Sequence, residues 1–191
     1  MASPDPSDPL DAGLRIARAF ELHGVSYALG GALAYGLWGV PRATIDVDVN
    51  VFTGLDALPE VFAALESAGA SLDHSEAVRA AGRDGRFVAA LGAYRVDVFT
   101  PSMEFAWEAE RTRVRKAIGE VEAWFLSAEA LAVFKLLFFR AKDIVDLQRL
   151  IAVQGARLDA AWVRVRVVEM MGADDERVAR WDALVAAHCD S

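Results

Sequence analysis

The chain reads as an α+β fold, a mixed sheet flanked by helices with a helical C-terminal part, and two observations carry that reading. Up to about residue 126, short apolar or period-two runs alternate with helical segments; after it, helical segments follow one another alone. The composition supports a sizeable core: of 191 residues, 54% are hydrophobic and 25% charged. The expected organisation is a disordered tail over 1–9, a mixed core over 10–126, and a helical region over 127–191 packed on that core.

Three prolines (Pro4, Pro6 and Pro9) interrupt the first nine residues, hence the tail. A helix is predicted from Asp11 to His23, with Ile16, Ala17 and Phe20 on its apolar side and Gly24 just past its end. Tyr27-Ala-Leu is a short strand running into Gly30-Gly31, and Ala32 to Trp38 is a short helix broken by Gly39-Val-Pro41. From Arg42 the pattern turns strictly period two. Ile45, Val47, Val49 and Val51 take one face; Arg42, Thr44, Asp46, Asp48 and Asn50 take the other. A helix follows over Asp56–Ala68, and a short one is expected around Ser75–Ala81. Arg86–Leu91 and Tyr94–Phe99 form a hairpin about Gly92-Ala93. Residues 102–110 are a loop or a short helix. Arg113–Ala117 and Val121–Leu126 are strands. Ser127 is the N-cap of a helical stretch to about Gln154, one long helix or two abutting ones. Asp159–Met171 and Asp174–His188 complete the chain.

With 28 acids against 20 bases the formal charge is −8, which disfavours non-specific nucleic-acid binding. One cysteine, Cys189, allows no internal disulfide, and the three histidines are scattered, so no metal finger is spelled out. The first residues lack the basic and apolar regions of a signal peptide. The longest apolar run, Ala128–Phe139, contains Glu129 and Lys135 and is too short for a bilayer. The expectation is a cytoplasmic protein with no membrane partner.

The chemistry gathers at Asp46 and Asp48. Two apart on a strand, they leave the same face with Cα atoms about 6–7 Å apart. Two unpaired charges at that range repel by about 2–3 kcal/mol at an effective dielectric near 20. Full solvation relieves this, and so does a cation between them. Three features bear on the choice. Gly30-Gly31 lies between a strand and a helix, where backbone N–H groups can cradle phosphate. Asp97 sits between Val96 and Val98 on another strand. Arg42 and Thr44 share the face of the aspartates, and Arg42 could meet a phosphate or pair with Asp46 or Asp48. Three carboxylates from two strands beside a glycine turn are what a two-metal phosphoryl-transfer site needs, since hard Mg²⁺ takes oxygen ligands.

The run Leu29-Gly-Gly-Ala-Leu-Ala-Tyr-Gly-Leu-Trp-Gly-Val-Pro-Arg-Ala-Thr-Ile-Asp-Val-Asp-Val resembles the signature of the polymerase-β-like nucleotidyltransferase superfamily. Its Pro-Arg-x-Thr is most similar to small bacterial proteins of the AbiEii/AbiGii toxin type. Arg95-Val-Asp-Val-Phe is similar to the third-aspartate strand. Leu126-Ser-Ala-Glu-Ala-Leu and the segment from Lys135 through Asp146-Leu147 resemble C-terminal motifs. The likeness covers roughly residues 25–155. It implies a nucleotidyltransferase fold and an enzyme that moves an NMP from an NTP to an acceptor hydroxyl with Mg²⁺. It also implies roles. Gly30 and Gly31 hold the β- and γ-phosphates through backbone N–H groups. Asp46 and Asp48 bind both metals. Asp97 binds the catalytic metal and helps deprotonate the acceptor. Lys135 reaches the triphosphate. Gly31 stands where many relatives have serine, which removes a hydroxyl ligand for phosphate.

Lys135 also has an argument of its own. It interrupts a stretch apolar nearly all round, and a buried ammonium needs a partner. On a continuous helix it shares a face with Phe139, Lys142 and Asp146. A phosphate, solvent or a core acid could each be its partner; Lys142, Asp143 and Asp146 read as a salt-bridge set. Arg111, Arg113 and Arg115 form either a strip for RNA phosphates or a solvated strand face. Tyr35 and Trp38 stack on a base or pack a core. The acceptor stays open among an RNA end such as tRNA, a protein hydroxyl and a small molecule. A cognate toxin or antitoxin is a further expected partner. The alternatives to an enzyme are a non-catalytic module that binds a nucleotide or a protein, of antitoxin type, and a structural domain with a solvated acidic face.

Overall fold

A computed structural model describes residues 5–189 of the chain. In chain order the elements are α1 (Pro9–Leu22), β1 (Tyr27–Leu29), α2 (Gly31–Trp38), β2 (Asp46–Val51), α3 (Leu58–Ser67), α4 (His74–Asp84), β3 (Arg86–Leu91), β4 (Tyr94–Phe99), α5 (Phe105–Thr112), β5 (Val114–Ile118), β6 (Val121–Phe125), α6 (Ala128–Phe138), α7 (Ala141–Gln154), α8 (Ala160–Met171) and α9 (Glu176–Cys189). Contacts divide the chain into two units. A sheet unit takes residues up to Leu33 and Ala43–Leu126; a helical unit takes Ala34–Arg42 and the chain from Ser127.

The sheet unit holds six strands in the order β3-β4-β2-β1-β6-β5. β2 runs parallel to β4 and antiparallel to β1, and β1 runs parallel to β6. The alternation in the sequence fixes which face is buried. Val47, Val49 and Val51 point into the core, joined across the ladder by Val96, Val98, Phe87 and Leu29. Each such side chain, fully buried, contributes about 1.5–3 kcal/mol. Helix α1 covers this face against β1, β2 and β6, and α3 packs on α1. Phe62 of α3 meets Phe87 edge-on at 5.4 Å, and Phe20 of α1 meets Tyr27 at 5.5 Å. The β3–β4 hairpin turns at Gly92, whose φ of 59° suits a residue without a Cβ.

The tail expected over 1–9 changes from residue 5 onward. Asp8 caps α1 by accepting from the Asp11 N–H at 2.8 Å, and Pro9 opens that helix. Pro6 is buried, and Tyr94 Oη donates to the Ser7 carbonyl at 3.1 Å. Residues 1–4, the Cys189 side chain and the last two residues lie outside what the structure describes.

In the helical unit, Ser127 Oγ accepts from the Ala130 N–H at 3.1 Å and starts α6. The expected stretch to Gln154 is two helices. Phe139 breaks it with a φ of 51°, a left-handed conformation rare outside glycine. α6 packs on α7 and α8, and α9 on α7 and α8. Trp181 of α9 is buried and donates from Nε1 to the Ala160 carbonyl at 3.0 Å. Among the described residues no helix is long and apolar enough to cross a membrane.

Candidate functional site

The register of β2 against β4 decides which side chains are neighbours. Asp46 lies opposite Arg95, and Asp48 lies opposite Asp97. Residues facing each other across a ladder share a face. So Asp46, Asp48 and Asp97 stand on the side of the sheet that α1 does not cover, with Arg95 among them. β3 adds Val88, paired with Asp97, and Arg86 two residues before it.

The glycine turn lies against this acidic face. The Gly30 N–H donates to the Asp48 carbonyl at 2.9 Å, so that amide serves the sheet. Gly31 opens α2 with a φ of 49°. A Cβ on Gly31 would fall 1.8 Å from Asp48 Oδ2, and one on Gly30 would fall 2.8 Å from Asn50 Nδ2. Gly31 is therefore needed for the close approach of the Asp48 side chain, whereas at Gly30 the neighbour is the movable end of Asn50. The Asp48 carboxylate sits at the N-terminus of α2, where the first amides lack intrahelical acceptors and the helix dipole favours an anion.

Asp97 is buried and doubly held. Arg95 grips it with a fork, Nε to Oδ2 at 2.9 Å and Nη2 to Oδ1 at 3.0 Å; Arg86 Nη1 adds a bond to Oδ1 at 3.1 Å. Such charge-assisted forks are the stronger hydrogen bonds. The bonded Asp97 carboxylate, with Asp46 and Asp48 adding their charge, raises the Arg95 guanidinium above its ordinary pKa. Arg95 thus feels all three acids. Among the described residues no group of three His, Cys, Asp or Glu side chains closes around one point as a metal-ligand set. The backbone sets the three carboxylates side by side, while the Asp97 side chain is turned onto two arginines. By donor chemistry the trio suits a hard divalent cation, and Asp48 is seated tightly against Gly31.

Three expectations about neighbours change. The β2 ladder starts at Asp46, so Arg42 and Thr44 precede it. Thr44 Oγ1 accepts from the Asp46 N–H and donates to the Asp46 carbonyl, both at 3.1 Å, and so shapes the strand entry. Arg42 meets a different acid. It belongs to the helical unit and lies 3.5 Å from Asp146 Oδ2. The third concerns Lys135 and Asp146, which do not share one helix face; they meet across the break at Phe139.

In that unit Lys135 is 5% exposed. Its Nζ donates to Asp146 Oδ2 at 2.6 Å, lies 3.7 Å from Asp143 Oδ1, and stands 5.0 Å above the Tyr35 ring. Arg140 Nε binds Asp143 Oδ2 at 2.6 Å. Burial, with Asp146 adding to it, pushes the Tyr35 phenol up. The structure therefore brings Gly30, Gly31, Asp46, Asp48 and Asp97 together in the sheet unit, and Arg42 and Lys135 together on Asp146 in the helical unit. Lys142 is exposed. Arg111, Arg113 and Arg115 each face acids: Glu108, Glu110, and Glu21 with Glu122. Sequence reasoning gave no role to Arg95 or Arg86. The signal was present, since Arg95 stands two before Asp97 on one strand.

A comparison with protein-family models gives no match. A comparison with curated proteins gives none either. Solved structures do match. The antibiotic-resistance factor ANT(2″)-Ia, in a solution structure, aligns over 96% of this chain and 100% of its own, with 19% identity and a TM-score of 0.58. Its complex with adenylyl-2″-tobramycin aligns over 88% and 94%, with 17% identity and a TM-score of 0.57. An antigenic nucleotidyltransferase-like protein from Paracoccidioides brasiliensis aligns over 94% and 95%, with 13% identity and a TM-score of 0.46. The fold is a nucleotidyltransferase fold, a mixed six-stranded sheet flanked by helices with a helical C-terminal part.

Proposed function

We propose that this chain is a nucleotidyltransferase that moves a nucleoside monophosphate from a nucleoside triphosphate to an acceptor hydroxyl. One observation carries the reading: the pairing of Asp48 with Asp97, with Asp46 two residues along, on the face that meets Gly31 at the start of α2. The likeness of fold supports it. Asp46, Asp48 and Asp97 would hold Mg²⁺. A hard divalent cation there supplies charge neutralisation and orientation of phosphate oxygens. The amides at the start of α2 bind phosphate oxygens, which also suit the positive end of the helix. Asp97 takes the proton of the acceptor hydroxyl as its oxygen bonds the α-phosphorus; the bond from that phosphorus to the β-bridging oxygen breaks, and pyrophosphate leaves with the electron pair.

In the finer form of the proposal, Arg42, Thr44 and Lys135 contact the triphosphate; the family resemblance assigns that role to Lys135, and Arg42 and Thr44 are added because they fall in step with the aspartates along the sequence. The acceptor is an RNA end, a protein hydroxyl or a small molecule. The complex of ANT(2″)-Ia with adenylyl-2″-tobramycin makes an aminoglycoside one acceptor to test. A cytoplasmic place and a part in a toxin–antitoxin pair rest on the sequence reading alone.

A second reading has its own observation. Asp97 is bonded to two arginines, as an acid kept for structure would be. In that reading the chain binds a nucleotide or a partner protein without turnover. Pyrophosphate release, followed with NTP, Mg²⁺ and either cell extract or an aminoglycoside, separates the two. The double variant Asp46→Asn, Asp48→Asn is expected to abolish release and keep the fold, since it removes like charges from one strand. Full activity in that variant refutes the site.

A further inference from the structure

Asp97 is the most buried acid of the acidic face. Its side chain is 9% exposed, while those of Arg95 and Arg86 are 50% and 44% exposed. The arginines lie over the carboxylate from the solvent side. A carboxylate so placed is strongly penalised when left alone, so it must be paired at all times. An exposed guanidinium, by contrast, gives up an ion pair at small cost, because water solvates it again. Arg86 also has other company. It lines a cavity of about 250 Å³ between α4 and β3, together with Glu76 and Asp84. The three donors from Arg95 and Arg86 reach both oxygens of Asp97, the same atoms that a metal would need.

We propose that Arg95, assisted by Arg86, is the exchangeable counter-ion of the metal site. The guanidiniums hold the Asp97 side chain in place, and a divalent cation takes Asp97 only as Arg95 lets go. This inference rests on the nucleotidyltransferase reading of the acidic face and adds a regulator of its metal occupancy. It makes Arg95 a positioning residue rather than a catalytic one. The face carries three carboxylates and two guanidiniums. Removing a positive charge within a few ångströms of a divalent ion strengthens binding severalfold even with solvent screening. The exchange also explains why the acids are adjacent along the backbone while the Asp97 side chain is turned to the arginines.

The test uses Mn²⁺ alone with the full chain and no nucleotide. Free Mn²⁺ is counted by electron paramagnetic resonance for wild type, Arg95→Gln, Arg86→Gln and Asp48→Asn. Arg95→Gln is expected to bind Mn²⁺ about tenfold more tightly than wild type, and Arg86→Gln less than Arg95→Gln but more than wild type, since Arg86 contributes one bond against two. Asp48→Asn is expected to lose binding. A second readout needs no variant: adding Mg²⁺ to wild type should move the Arg95 Nε–H resonance as its bond to Asp97 opens. Should Asp48→Asn abolish binding while Arg95→Gln binds no more tightly and the Nε–H resonance stays fixed, the exchange is wrong and the metal site stands. If Asp48→Asn binds as wild type does, or neither wild type nor Arg95→Gln binds Mn²⁺, the metal reading fails and the exchange fails with it.

Discussion

Gly31→Ala drives a methyl group into the carboxylate of Asp48. The new Cβ would lie 1.8 Å from Asp48 Oδ2, 2.4 Å from its Cγ and 2.7 Å from its Cβ. No rotation about the end of the side chain clears the last of these, so Asp48 or the turn must shift. The backbone adds its own cost. At a φ of 49° an L-residue in the left-handed region loses about 1–2 kcal/mol against glycine. Forcing Asp48 off its rotamer costs about 0.5–1.5 kcal/mol more. The sum, about 1.5–3.5 kcal/mol, corresponds to a fall in Tm of roughly 3–14 °C for a chain of this size. Gly36 is the internal control. It lies in the same helix with nothing within 4 Å of a would-be Cβ. Gly36→Ala should stabilise the protein by about 0.5–1 kcal/mol through backbone entropy. Thermal melting of the two variants, with Mn²⁺ titrations alongside, makes the comparison. Gly31→Ala should melt lower and bind Mn²⁺ more weakly. A Gly31→Ala protein that melts with wild type and binds Mn²⁺ equally well would falsify the close packing of Asp48 on the glycine turn.

Three further perturbations test the rest of the structure. Lys135→Met leaves Asp143 and Asp146 without their shared ammonium; chemical denaturation should show a loss of about 3–5 kcal/mol, and an unchanged midpoint would mean that the pair is not buried. Ser127→Ala removes the cap on the Ala130 N–H and should cost about 1 kcal/mol by the same measurement. Burial pushes the Tyr27 phenol from 10.0 up to about 12. The folded state then keeps a proton that the unfolded chain releases, so the stability linked to Tyr27 is whole below pH about 10 and is lost as pH climbs to about 12, some 2–3 kcal/mol in all. Tyr27→Phe should melt with a flatter dependence on pH across that window; an equal slope in both proteins counts against the burial of this phenol.

Much of the sheet was legible because its signals are local. Alternation marked β2, and a glycine-first pair marked the β3–β4 turn. The face shared by Asp46 and Asp48 followed from period two alone. What escaped depended on partners far along the chain. The alternation ran four residues ahead of the ladder, since Arg42 and Thr44 fit the pattern yet precede the pairing; Thr44 turns back onto Asp46, and Ile45 is 74% exposed. Hydropathy could not mark the break between α6 and α7, because Phe139, with no glycine or proline beside it, takes the left-handed conformation itself. The arginine fork on Asp97 stayed hidden for another reason: period two puts Arg95 on the face of Asp97, but a sequence does not tell an arginine that binds a site acid from one in water.

The most direct measurement is an anomalous-diffraction map of crystals grown with Mn²⁺ and a non-hydrolysable nucleoside triphosphate. Manganese should appear in contact with the carboxylates of Asp46 and Asp48, with phosphate oxygens at the Gly31 amide and Arg95 lifted from Asp97. Manganese and triphosphate bound elsewhere, with that acidic face untouched, would contradict the assignment.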